Sequence, residues 1–233
     1  MRNALMLIAI LTVATMVAAD NAPTTPGEPG GPQEYQPYSW NLGVGRAILW
    51  DNGDTDGSNG YSHGTATAVG ARRAILDDFV IPLGDVAWDI QNLTWLVIWD
   101  SGGGPSATGA EIAFRNDTGG GAPAATPFAG ATVTTYTETA TGRTWFSRAE
   151  YQFSVDFNAI NVVAGVYWVD FLPIGPENSY AMVRATVTGA ECWINYDDYG
   201  FMAGSALFGV AADLSFVLNG TVVPVELQAF TVE

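Results

Sequence analysis

The stretch WDNGDTDGSNGYSHG, Trp50 to Gly64, gathers carboxylates, carboxamides, glycines and the single histidine of the chain. Asn52, Asp54 and Asp56, followed by Gly57, match the first half of a calcium loop, in which alternate side-chain oxygens converge and the glycine permits a sharp turn. The second half departs from that pattern, because His63 stands where a bidentate glutamate would close the loop and no helical pattern flanks it. In a β-sandwich the missing oxygens come from another loop, and Asp197 with Asp198 is the candidate donor. The competing reading is a polar turn whose carboxylates cap local amides. His63 reads as a surface or hydrogen-bonding residue rather than a catalytic base.

A second group of residues is aromatic. On GVYWVDF, residues 165–171, Tyr167, Val169 and Phe171 share one face of a strand, and Trp168 and Asp170 share the other. If that second face is open, Trp168 and Asp170 form a ligand-binding pair for a glycan: a flat ring stacks on a sugar C–H face and the acid accepts hydroxyl hydrogen bonds. If both faces are covered, Trp168 is core.

Much chemistry is excluded outright. All eight basic residues are arginine, so Schiff-base and P-loop lysine chemistry are absent. One histidine cannot build a multi-histidine metal site, the lone Cys192 lies in the strand-like AECWINY, and no G-x-S-x-G elbow occurs. Carboxylate pairs remain for a hydrolase: Asp77 with Asp78, Glu150 with Asp156, Asp197 with Asp198. Neighbours on a strand point to opposite faces, which keeps Asp77 and Asp78 out of one cleft. Glu150 and Asp156 lie roughly 20 Å apart along a strand. The formal charge of −16 repels phosphate backbones and anionic headgroups, which disfavours nucleic acid and lipid surfaces as partners.

The elements that must position these residues are strands. Period-two runs separated by Gly, Pro, Asn and Asp clusters dominate, and 3.6 periodicity is nearly absent. ATVTTYTETAT and Trp145–Phe157 predict a hairpin turning at Ala140–Arg143. Asp89–Asp100 is apolar on both faces toward its end, the mark of a central strand. Further strands are expected over Gly45–Trp50, Arg73–Ile81, Glu111–Arg115, Gly165–Phe171, Tyr180–Thr188, Glu191–Tyr196, Ala206–Leu218 (unbroken or interrupted at Ala211) and Val222–Val232. The fold class is all-β: a single-domain β-sandwich of jelly-roll type over 38–233. Before it, residues 1–19 read as a signal peptide, with a short apolar run ending Val17-Ala18-Ala19, and 20–37 as a Pro/Gly-rich arm. A secreted protein with no membrane span is expected, at or outside the cell surface. Sequons begin at Asn92, Asn116 and Asn219.

Four segments carry a resemblance: LWDNGDTDGSNGYS, LDDFVIPLGDVAWDIQNLTW, GVYWVDF and LSFVLNGT. Together they resemble a group of secreted bacterial β-sandwich proteins of planctomycete type, which carry a DDF-x-(V/I)-P segment, a W-x-I strand, a G-x-YW strand and a closing F-x-L-x-G strand. The resemblance implies an extracellular sandwich without an established activity.

Three functions follow as expectations. The first is a non-enzymatic sandwich that binds a glycan or a cell-surface protein, with calcium bracing its loops. The second is a polysaccharide-active hydrolase built on paired carboxylates. The third is a self-assembling subunit that completes a neighbour's sheet with a strand.

Overall fold

The computed structural model describes residue 40 and residues 46–57, 59–65, 71–85, 87–100, 104–184 and 187–223. The expected signal peptide at 1–19, the expected arm at 20–37 and residues 224–233 lie outside the described residues. Within them are fourteen strands and one five-residue helix, arranged as two antiparallel sheets packed face to face.

Strand β4 (Ala87–Trp99) is the spine of the larger sheet. One of its edges meets β8 (Arg148–Val163), which in turn pairs with β7 (Val133–Trp145). Its other edge is shared: β14 (Phe216–Val223) runs beside Ala87–Trp95, and β10 (Ser179–Arg184) takes over from Val97 to Trp99. Outside these lie β1 (Ala47–Asp51) on β14, and β2 (Gly60–His63) and β13 (Asp213–Leu214) on β10. The smaller sheet runs β12 (Gly200–Ala203), β11 (Trp193–Tyr196), β3 (Arg73–Ile81), β9 (Gly165–Ile174), β5 (Gly109–Asn116), β6 (Ala129–Gly130).

Alternation decides what enters the space between the sheets. On β3, Ile75, Phe79 and Ile81 point inward; on β9, Val169 and Phe171 do so; on β8, Phe153, Val155 and Phe157. On β4 the inward set is Trp88 and Ile90, then Leu93, Trp95, Val97 and Trp99, a change of parity produced by the bulge between Ile90 and Asn92. Opposite that bulge sits Gly220, where a Cβ would come within 2.0 Å of the Asp89 carbonyl oxygen, so only glycine fits. The outward residues Leu96 and Ile98 join Met182, Trp40, Trp145, Phe146 and Tyr180 in a second apolar cluster. That explains the two-faced hydrophobicity of β4: it is covered on both sides.

Two expectations need correction. The β7–β8 hairpin turns at Phe146–Ser147, both with positive φ (50° and 63°), whereas Gly142 (φ 82°) sits in a pairing irregularity between Ala140 and Thr144. The Gly-containing segment therefore bulges instead of reversing the chain. Residues Gly204–Phe208, overlapping the start of the expected strand Ala206–Leu218, form the helix α1, closed by Gly209 at φ 75°. The strand resumes only at β13.

Candidate functional site

Strand β3 carries two carboxylates held above their ordinary range. Asp77 follows the inward set and is fully buried between the sheets, where it accepts hydrogen bonds from the Leu214 N–H (2.6 Å), Asn52 Nδ2 (3.0 Å) and the Asp78 N–H (2.9 Å). Asn52 Nδ2 also donates to the Leu214 carbonyl at 2.9 Å. Next to Leu214, the buried Asp213 accepts the Thr188 N–H at 2.5 Å through Oδ2, while its Oδ1, like Asn52 Oδ1, has no hydrogen-bond partner among the described residues. Burial raises Asp213 to about 7 and, together with the Asp213 charge, lifts Asp77 well above the ordinary carboxylate range. The Cys192 thiol is pushed up by burial and by the same two acids, which makes it an inert core group.

Asp78 takes the opposite side of β3, as alternation requires. It accepts the Ala190 N–H at 3.1 Å, and Gly189 (φ +89°) passes so close that a Cβ would meet Asp78 Oδ2 at 2.5 Å. Burial, with a contribution from Asp117, raises Asp78 to about 6. Its cross-strand partner is Trp168, whose Nε1–H donates to Asp117 Oδ1 at 3.0 Å. Asp78, across the strand pair, and Asp117, by hydrogen bond, are thus both brought next to Trp168. No linear motif joins them, since Asp117 lies in a loop 39 positions away whose approach depends on the β3–β9–β5 order.

The expected glycan platform occupies this same face. Trp168 is 0% exposed and meets Trp193 edge to face, with ring centroids 6.4 Å apart. Asp170, 1% exposed, accepts Arg115 Nε at 3.1 Å and Nη2 at 2.5 Å. Arg115 itself lies over the Phe201 ring, 5.4 Å from its centroid. Here the outer face of the smaller sheet is covered, so the pair packs inside the fold and presents no ring to water.

The expected calcium ligands serve separate partners. Asn52 turns into the core to Asp77; Asp54 receives Arg143 Nη1 and Nη2 at 2.7 and 2.9 Å; Asp56 donates its N–H to the Val183 carbonyl. Asp197 accepts the Arg72 N–H at 3.2 Å, and Asp198 pairs with Arg73 at 2.6 Å. Among the described residues no group of three or more His, Cys, Asp or Glu is placed to hold a metal ion. In this arrangement the carboxylates of Asp54, Asp197 and Asp198 meet arginine side chains or a backbone amide.

His63 is fully buried on β2. Its Nε2 accepts the Trp95 indole N–H at 3.0 Å, which assigns the ring proton to Nδ1, 3.1 Å from Ser179 Oγ. Ser179 donates its own proton to the His63 carbonyl at 2.7 Å. The imidazole is therefore donor to the serine, the reverse of what nucleophile activation requires. Burial pushes His63 down to about 3, so it stays neutral.

What the sequence did not single out is a polar ladder on the outer face of the larger sheet. Asn219, Asn92, Asp156 and Thr135 stand side by side on β14, β4, β8 and β7. Asn219 Nδ2 donates to Asn92 Oδ1 (2.8 Å), Asn92 Nδ2 to Asp156 Oδ1 (2.7 Å) and to Ser154 Oγ (2.9 Å), and Thr135 Oγ1 to Asp156 Oδ2 (3.1 Å). Burial alone would raise Asp156, but hydrogen bonds from Arg46 and Asn92 hold it below the ordinary range. The sequons at Asn92 and Asn219 are consumed by this ladder, and Asn116 alone of the three is exposed. The ladder ends in exposed hydroxyls at Thr135, Thr137 and Thr139, which alternate along β7 at a spacing of roughly 6.8 Å.

No known protein family, no curated protein and no solved structure matches this chain.

Proposed function

We propose that the protein is a secreted, non-enzymatic β-sandwich that binds a glycan outside the cell through the hydroxyl-lined face of the β7–β8 ribbon. One observation carries this reading. Thr135, Thr137 and Thr139 line one face at regular spacing, backed by Ser154, Gln152 and Asp156 on the adjoining strand. A row of groups that both donate and accept suits a chain of sugar hydroxyls. The rigid sheet behind it presents that row without ordering cost at binding. Asp156 is already neutralised by Arg46, so the face carries little of the chain's −16 charge and tolerates neutral polysaccharides.

The test is a binding screen of the protein against soluble and insoluble polysaccharides, with and without millimolar calcium, reading both retention and released sugar. Retention by wild type that is lost in Thr135→Val/Thr139→Val, with unchanged melting temperature, supports the reading. Retention unaffected by the double substitution overturns the placement on this face.

A second reading, hydrolysis, is favoured by one observation: Asp78, raised to about 6, shares Trp168 with the second carboxylate Asp117. Sugar released by wild type and not by Asp78→Asn in the same screen would establish it.

A further inference from the structure

We propose that the Thr134–Ala140 stretch of β7 is a self-pairing edge, to which a second copy of this chain adds its own β7 antiparallel, joining two large sheets across a two-fold axis. Among the described residues β7 pairs with β8 alone, so one whole line of its N–H and C=O groups faces away from the sheet. The other strands with a single neighbour, β1, β2, β6, β12 and β13, are two to five residues long, whereas β7 has 13. Short edges protect themselves; a long one needs proline, lysine, a bulge or an outward charge, and the irregularities of β7 fall at the two ends of this stretch, between Val133 and Thr135 and between Ala140 and Thr144. Strand β7 has no proline, the chain has no lysine, and Thr134, Thr135, Tyr136, Thr137, Thr139 and Ala140 are exposed.

Charge selects a copy of the same chain as the occupant of this particular strip. Two molecules of net charge −16 repel over most of their surfaces. Within Thr134–Ala140 the one charged residue is Glu138, and it turns away from the edge to accept the Trp99 indole N–H and the Ala107 N–H, each at 2.9 Å. The strip is therefore a place where two copies approach at low electrostatic cost. An exposed β-edge is also complementary to itself, because its donors and acceptors alternate, and a two-fold axis makes the pairing antiparallel and closed. The irregularity between Ala140 and Thr144 stops the pairing at its far end. Seven residues span roughly 24 Å. A contact of that size falls below the roughly 1,200 Å² of standard stable interfaces, so the dimer is weak and depends on concentration. Added salt strengthens it by screening the repulsion between copies. Pairing by the edge leaves the threonine face open and sets two such rows side by side, so this inference stands or falls independently of glycan binding.

Sedimentation of the purified chain across a concentration series, at low and at about 0.5 M salt, tests it. The expected result is a dimer fraction that rises with concentration and with salt. Thr137→Lys and Thr137→Glu each become monomeric with unchanged circular dichroism, and an equimolar mixture of the two regains the dimer through opposite charges. Should either variant fold poorly, amide exchange on wild type gives the same answer, with N–H groups within Thr134–Ala140 exchanging several-fold more slowly in concentrated than in dilute solution. Monomer at every concentration and salt, or a dimer that both substitutions leave intact, overturns the proposal.

Discussion

The carboxylate of Asp77, rooted in the smaller sheet, accepts the backbone N–H of Leu214 in the larger one at 2.6 Å. This bond ties the two sheets through the interior, and it brings Asp77 up against Asp213, the residue before Leu214. Two buried acids this close do not both ionise freely, and the nearby Arg184 only partly offsets their burial, so the pair titrates as a unit with a raised affinity for protons.

Stability should therefore fall as pH rises. The unfolded acids release their protons near pH 3.9, while folded Asp213 holds its proton to about 7 and Asp78 to about 6. The folded state thus binds more protons between those limits, and its stability declines across that window before levelling off above it. Asp213→Asn removes one titrating group from the window. It should leave the protein as stable as wild type near pH 4 and more stable at pH 8, by on the order of 3 kcal/mol. Urea melts at a series of pH values give the result; parallel curves for the two proteins would sink the idea.

His63 contributes a slope of the opposite sign. Its folded pKa is depressed to about 3, so the stability it adds is complete above the unfolded value near 6.5 and is lost as pH falls below that. In His63→Gln the decline of stability between pH 4 and 6.5 should be steeper than in wild type, from a lower starting point. Nitrogen-15 spectra of wild type should show the Nδ1–H tautomer unchanged from pH 8 to 5. A titration with its midpoint near 6.5 would mean that the ring reaches water.

The strands were largely legible because alternation leaves a local trace: Arg73–Ile81 was read to the residue, and Asp89–Asp100 shows its double coverage in Leu96 and Ile98. Turn placement was less legible. Ala140–Arg143 has the composition of a turn, yet the chain reverses at Phe146–Ser147, where packing of Trp145 and Phe146 on Leu96 and Ile98 sets the register. The site residues were least legible. Asp78 and Asp117, or Asp77 and Asp213, meet only after strands distant in sequence pair, and a carboxylate in a strand looks the same in sequence whether it faces water, an arginine or another acid.

Trp168 tests the covered outer face of the smaller sheet. Fully buried and bonded to Asp117, it should cost about 3–5 kcal/mol when cut to alanine. Trp168→Phe keeps much of the volume but strips Asp117 of its indole partner, and a loss of about 1–2 kcal/mol is expected. Guanidinium melts decide between this and an open platform, for which Trp168→Ala would be nearly neutral in stability.

Asp54 decides what the opening loop does. Both of its oxygens are held by Arg143, which also donates through Nε to the fully buried Glu150 at 2.7 Å, so one guanidinium neutralises two acids from different parts of the chain. Removing Asp54 leaves Arg143 paired with Glu150, and Asp54→Ala should cost only about 1–2 kcal/mol. Arg143→Ala instead strands Glu150 in the interior without a counter-charge, and about 3–5 kcal/mol is expected. A ligand bound only by the folded state would raise the melting temperature in proportion to RT ln(1 + [Ca]/Kd). With Asp54 committed to an arginine and Asn52 to the core, the deficit of Asp54→Ala should be the same after chelation and in millimolar calcium. A calcium-dependent rise in the melting temperature of wild type, erased by Asp54→Ala, would show that the loop releases Arg143 to take the ion.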